Sequence, residues 1–301
     1  MHTSQWQQAE RFIAHLALER RLSAHTVAAY RRDLECLAAF CRREGIDTWP
    51  QLQPHHLRRY AAVSHGAGLD PRSIQRRLSG ARSFFRYLVR EGELAQNPGV
   101  GVSAPRTARR LPTTLDVDQM AQLLEIRGDD PLTARDSAIL ELLYSSGLRL
   151  GELVGLDLGD VDLADGMVRV TGKGRKTRLV PVGRKARQAL GAWLKTRAAL
   201  AAVGEQAMFT GVRGRRISPR SVQARVRYWA QRSGLGQRVH PHLFRHSFAT
   251  HVLESSGDLR SVQEMLGHAN IGTTQIYTHL DFQHLAQVYD KAHPRARKAK
   301  A

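Results

Sequence analysis

The sequence predicts a mainly α-helical protein in two parts: an N-terminal four-helix module and a larger α+β domain with a small β-sheet. Three observations predict this. Apolar residues recur at helical spacing from residue 4 to residue 90. The periodicity then breaks in a stretch rich in Gly and Pro, GELAQNPGVGVSAPRTARRLP. Past it the helical pattern resumes, interrupted by two β-prone runs that flank the turn TGKGRK. A length of 301 residues suits two cores better than one, and a hydrophobic content of 42% is enough to pack them. A wholly disordered chain is excluded.

In the first helix, over 4–20, Trp6, Ala9, Phe12, Ile13 and Leu16 form one stripe. Ser23 is placed to cap the second, whose Val27, Tyr30, Leu34 and Leu37 turn inward and which Gly45 ends. A short third helix follows Pro54 and stops before Gly66. Asp70-Pro71 joins a cap to a first-turn proline and opens a fourth helix, with Ile74, Leu78, Ala81, Phe85 and Leu88 on one face. Arg82, Arg86 and Arg90 are spaced four apart and share another face of that helix. They are candidate DNA contacts, weighed against the plainer reading of a solvated charged face.

Composition places the module at 1–92, a linker at 93–112, the second domain at 113–292 and a basic tail at 293–301. In the second domain Asp116 caps a helix over 119–126, and the apolar run 136–146 is a core helix broken at Gly147. Another helix starts in LRLGEL, from Leu148. Residues 167–170 and 178–182 form a hairpin with a cationic, glycine-rich tip. The stretches 186–200 and 218–232 are amphipathic helices, the latter capped by Ser218 with Pro219 behind it. The rest, to residue 290, is mostly helical. No internal repeat is visible.

The formal charge is +19 and the isoelectric point about 11.0, with arginine well ahead of lysine. A base composition rich in G and C would explain Arg over Lys, but not the excess over Asp and Glu. The excess points to a polyanion, and arginine suits phosphate because its planar fork grips two oxygens. Cys36 and Cys41 lie on one predicted helix with no CxxC or zinc spacing, which predicts reduced thiols. No apolar run approaches the ~20 residues of a membrane span. The start, MHTSQWQQAERF, lacks the apolar segment of a signal peptide. A cytoplasmic protein without membrane partners is expected.

The residue types that carry chemistry cluster late in the chain. His242 and Arg245 are three apart and project from one helical face, where arginine can hold nonbridging phosphate oxygens and histidine can relay a proton. His246 stands four after His242, a zinc-ligand spacing, but the residues between are Leu-Phe-Arg and a cation among the ligands repels a metal. No metal is expected. Lys173, between Gly172 and Gly174, is either an exposed turn lysine or a mobile ammonium able to protonate an alkoxide. GKGRKT lacks the order of a phosphate-binding P-loop and a strand follows it, so nucleotide binding is rejected. Glu152, three after Arg149, can orient that guanidinium or make an ordinary surface pair. Tyr277 is a core tyrosine or a nucleophile; its phenol, with a pKa near ~10, attacks only beside cations or a proton acceptor.

Arg149, Lys173, His242, Arg245, His268 and Tyr277, in that order, resemble the active-site set of the tyrosine recombinase (phage integrase) family. The surrounding words match as well: SSGLRLGEL, TGKGRKTRLVP, HPHLFRHSFATHVL and LGHANIGTTQIYTH. The helical module resembles the family's N-terminal core-binding, SAM-like domain, so the resemblance spans essentially the whole chain and implies the tyrosine recombinase fold. It implies that Tyr277 attacks a DNA phosphate to leave a 3′-phosphotyrosyl link, with no cofactor. Arg149 and Arg245 would hold the phosphate, Lys173 would protonate the leaving 5′-oxygen, and His242 would assist the tyrosine's proton. His268 would hydrogen-bond the phosphate and Glu152 would support the site. The tail YTHLDFQHLAQVYDKAHPRAR is similar to that of the family's chromosome-dimer resolvases. The implied partners are double-stranded DNA with a dif-like site, a XerD-like sister recombinase in a heterotetramer, and the translocase FtsK, with 281–292 exchanged between subunits. A mobile-element integrase shares these residues, and a type IB topoisomerase shares the chemistry without the compact two-domain layout. A non-catalytic basic DNA-binding protein would have no use for Lys173, His268 and Tyr277 together.

Overall fold

The computed structural model of the chain describes residues 3–105, 114–172, 177–266, 289 and 292–294. They fall in two compact units, Met1–Leu111 and Pro112–Ala301, each with its own hydrophobic core.

The first unit is built from α1 (Thr3–Leu18), α2 (Ala24–Arg43), α3 (Pro54–Gly66) and α4 (Pro71–Arg90). The caps form as their sequences predict: Ser23 accepts from the Thr26 amide, and Asp70 from the Arg72 amide. Phe12, Trp49, Phe84 and Phe85 are buried together, each worth about 2 kcal/mol of apolar burial. Trp49 packs edge-on to Phe84 at 4.9 Å and donates its indole N–H to the Gln5 carbonyl at 2.7 Å, tying the α2–α3 connection to α1.

The segment assigned to a linker from residue 93 begins inside this unit. Val102 is buried in its core, and Leu94 and Ala104 pack against that core. Arg82 donates Nη1 to the Val102 carbonyl at 2.9 Å, and Asn97 donates Nδ2 to the Arg82 carbonyl at 3.0 Å. Gly and Pro here shape a turn that folds back on α4. Composition alone cannot separate such a turn from a linker, because the apolar residues that anchor it are too few to show a period.

The second unit contains α5 (Val117–Leu124), α6 (Pro131–Ser146), α7 (Leu150–Gly155), β1 (Val161–Asp162), β2 (Met167–Thr171), β3 (Thr177–Pro181), α8 (Arg184–Arg197), α9 (Pro219–Arg232), α10 (Pro241–Ser256) and α11 (Leu259–Leu266). The strands form an antiparallel sheet in the order β1-β2-β3, with Thr171 opposite Thr177 and Val168 opposite Val180. Val168, Val170 and Val180 point into the core. At the centre lies α6, buried at nearly every position from Thr133 to Ser146. It starts before the apolar run at residue 136, at Pro131, with Asp130 accepting from the Leu132 and Thr133 amides. The Asp-Pro start is the one that opens α4. Asp136, wholly buried on α6, accepts from Arg135 at 2.7 Å, from Trp229 Nε1 at 2.9 Å and from Arg225, which binds α6 to α9. Among the described residues no helix is long and apolar enough to cross a membrane.

The basic tail predicted from residue 293 starts too early. His293 is fully buried, stacked on Tyr289 at 4.8 Å and set 4.7 Å from the Tyr144 ring. Its basic neighbours hide it in the sequence, because the aromatic pocket it fills comes from α6 and from Phe248 of α10. Tyr289 shares a 2.6 Å hydrogen bond with Ser145 Oγ, and only a glycine at position 183 leaves space for that hydroxyl: a Cβ there would lie 2.4 Å from it. Tyr289 and Ala292 belong to the segment 281–292, the one expected to pass to a neighbouring subunit, yet here they are buried in their own unit. The other residues of that segment lie outside the described ones.

Candidate active site

The site is assembled where α6 ends. Gly147 closes that helix with φ +56°, and a Cβ at this position would stand 2.5 Å from Phe248. A residue with a side chain is therefore doubly disfavoured, by backbone and by contact. The turn delivers Arg149 to the N-cap of α7, where its backbone amide donates to Glu152 Oε2 and its Nη1 to Glu152 Oε1, both at 2.9 Å. Ser146, also buried, donates to the Pro181 carbonyl at 2.8 Å and so fastens the turn to the end of β3.

Arg245 comes in from α10, whose start is set by Pro241 and by His240 accepting from the Leu243 amide. Its side chain is almost wholly buried and reaches two carbonyls, Gly147 O at 2.8 Å and Leu266 O at 2.6 Å. One guanidinium thus joins the turn that carries Arg149 to the end of α11, just before Gly267 and His268. Burial, then repulsion from Arg149, pulls the Arg245 pKa down to about 10; Glu152 opposes the shift and Arg178 adds to it.

His242 lies one helical turn before Arg245 and is exposed. Burial of part of its ring lowers its pKa below the ordinary 6.5, and the charges of His240, His246, Arg245 and Arg149 lower it further. The imidazole is therefore neutral at physiological pH and able to accept a proton.

The residue that the sequence reading missed is Arg178, on β3. Its Nη1 and Nη2 reach Glu152 Oε1 and Oε2 at 2.8 and 3.0 Å, and its Nε donates to the Met265 carbonyl at 3.2 Å. Glu152 is thus the hub of a buried cluster and not a surface partner of Arg149. Burial pushes its carboxyl pKa up, but the hydrogen bonds and charge of Arg178, with the Arg149 amide and side chain, outweigh this and leave it below 4.5. A signal for Arg178 was present. In the alternating strand it shares the inward face with Val180, and a charge at an inward position needs a partner.

The structure brings together Arg149, Glu152, His242 and Arg245. Lys173, His268 and Tyr277 lie outside the described residues. Arg82, Arg86 and Arg90 belong to the other unit: Arg82 is half-buried and bonded to Val102, Arg86 is exposed, and Arg90 is exposed and paired with Glu91 at 2.9 Å.

The comparison with known proteins decides the family. Residues 113–284 match the phage integrase family and residues 9–92 match the phage integrase N-terminal SAM-like domain. The chain belongs to the phage integrase family of tyrosine recombinases. It is 58% identical over 290 residues to the tyrosine recombinase XerC of Azotobacter vinelandii, covering 96% of each chain. It is 56% identical over 294 residues to that of Pseudomonas putida, covering 97% of this chain and 98% of the relative. Among solved structures it resembles the XerH recombinase bound to its difH substrate before cleavage, with TM-score 0.66 and 25% identity over 90% of this chain and 80% of that one. The Tn1549 transposon integrase shares the fold, with TM-score 0.73 at 18% identity over 93% and 98% of the two chains. The chain is a XerC-like, tyrosine-type site-specific recombinase that binds and recombines DNA.

Proposed function

We propose that the chain cuts one DNA strand through Tyr277 and rejoins it to another. The phenol oxygen attacks the scissile phosphorus and the bond to the 5′-oxygen breaks, leaving a 3′-phosphotyrosyl ester and a 5′-hydroxyl. The tyrosine's proton passes to His242, and Lys173 protonates the departing oxygen. Arg149 and Arg245 hold the nonbridging oxygens, each worth about 3 kcal/mol to the transition state. His268 hydrogen-bonds the same phosphate. One ester replaces another, so bond energy is kept and the chemistry needs neither ATP nor a metal ion.

One observation carries this reading. Arg149 and Arg178 both bond the single carboxylate of Glu152, and Arg245, whose pKa is pulled down first by burial and then by repulsion from Arg149, lies within range of the same charges. Like charges held together in this way cost free energy in the unliganded protein, and a phosphodiester anion relieves that cost. The similarity to XerC relatives over nearly the whole chain supports the choice of partners. The chain acts with a XerD-like sister recombinase in a heterotetramer on a dif-like site, with FtsK as controlling translocase, to resolve chromosome dimers.

A nicked duplex carrying a dif-type site, which traps the covalent intermediate, tests both levels. The native chain is expected to form a covalent complex that Tyr277→Phe abolishes. Covalent product persisting in that variant sinks the chemistry. Full strand exchange by the chain without a XerD-type partner sinks the pairing.

A further inference from the structure

We infer that Arg178 is a positioning residue of the cleavage reaction, acting through Glu152 on Arg149 and, through the Met265 carbonyl, on the end of α11. The inference rests on the reading of Arg149 and Arg245 as phosphate ligands and deepens it.

The geometry around Glu152 assigns unequal jobs to its two arginines. Both carboxylate oxygens accept the Arg178 fork, at 2.8 and 3.0 Å, and the Arg178 side chain is only 11% exposed. Arg149 reaches the same carboxylate with its backbone amide on Oε2 and its Nη1 on Oε1, and its side chain is 41% exposed. A two-pronged, buried contact from a separate element fixes the plane of the carboxylate and ties it to β3. Arg178 therefore sets the direction in which Glu152 presents its oxygens, and Glu152 sets Arg149. Without Arg178 this carboxylate, only 4% exposed in the intact protein, would lose its bidentate counter-charge and keep the Arg149 contacts. That situation favours protonation or rearrangement, and either displaces Arg149.

The third donor extends the role. Arg178 Nε holds the Met265 carbonyl and Arg245 Nη2 holds the Leu266 carbonyl, the next one along. Both carbonyls belong to the final residues of α11, where helix carbonyls favour cations. Two arginines from two different elements, β3 and α10, thus clamp the last turn from which the chain leaves for His268. One side chain on β3 is thus joined by hydrogen bonds to the carboxylate that holds Arg149 and to the end of α11.

The test uses the full-length chain and the nicked dif-type duplex, with single-turnover cleavage and DNA affinity measured separately and a thermal melt on each variant. Arg178→Met is expected to slow covalent complex formation about 100-fold, as a small misplacement of a catalytic group does, with DNA affinity within about threefold of native. The double variant Arg178→Met with Glu152→Gln is expected to recover about tenfold, because no buried carboxylate is stranded. Arg178→Lys keeps the charge but not the fork and is expected to fall between native and Met, which decides the matter if the Met variant does not fold. Cleavage by Arg178→Met near the native rate overturns the inference. So does a lysine variant at the native rate, or a loss of affinity that matches the loss of cleavage. If the native chain itself forms no Tyr277-dependent complex, the reading beneath it has failed instead, and the two failures are told apart by the wild-type lane.

Discussion

The two units are both rich in arginine, and they use it in opposite ways. In the N-terminal module the arginines that pair with carboxylates do so near solvent: Arg31 with Glu10, Arg59 with Glu44, Arg90 with Glu91 and Arg76, itself half-exposed, with the buried Asp33. In the catalytic unit several are inside. Arg135 bonds Asp136 and the Thr210 carbonyl, Arg197 bonds the carbonyls of Glu205 and Ala207, Arg178 grips Glu152, and Arg245 joins Gly147 to Leu266. A surface pair contributes little to stability and leaves its charge available to a polyanion. A buried arginine must find partners for its donors, and in finding them it acquires one position. Under the proposed function the first pattern supplies affinity for DNA and the second a point in space at which a phosphate can be held.

The sharpest way to break this contrast is at Arg245. Arg245→Ala removes the proposed phosphate ligand and its bonds to two carbonyls. Single-turnover cleavage is expected to fall about 1,000-fold and unfolding free energy by about 2 kcal/mol, with DNA affinity changed little. If affinity falls as far as cleavage, the division of labour is wrong.

His242 gives an intermediate effect, read by pH. A base must be neutral to accept the tyrosine's proton, and the site lowers the His242 pKa. The neutral form therefore persists on acidification past the ordinary value of 6.5, and the acid limb of the cleavage rate is expected below that pH. His242→Asn should cost about 100-fold and flatten the limb. A limb centred above 6.5 that survives in the variant assigns the titration to another group.

The smallest effects belong to the module. Arg86→Ala should weaken DNA binding severalfold and reduce the salt slope by about one, while cleavage of saturated substrate stays native. Arg82→Ala is the informative neighbour. It loses the bond to Val102 and is expected to cost about 1 kcal/mol of stability, whatever it does to DNA. Equal melting temperatures for the two variants would show that the inward role of Arg82 is not energetic.

What could be read without coordinates was local. Helix starts at Ser23, Asp70, Asp116 and Ser218 each follow from a cap that acts within three residues, and the hairpin follows from β-prone runs around a glycine turn. The Asp130-Pro131 start of α6 follows from the same rule. The grouping of Arg149, His242 and Arg245 was legible too, through the family's motifs. The sequence by itself determined these elements, and the family, because each depends on neighbours a few positions away or on words of a few residues.

Tertiary structure alone decided which polar groups would be spent inside. It turned Glu152 from a partner into a hub, brought Arg178 to it across 26 positions, and made Val102 and His293 core residues where composition showed linker and tail. The reason is physical. Burying a charge or an imidazole requires partners from several elements at once, and no periodicity in one stretch of chain records where those partners will come from.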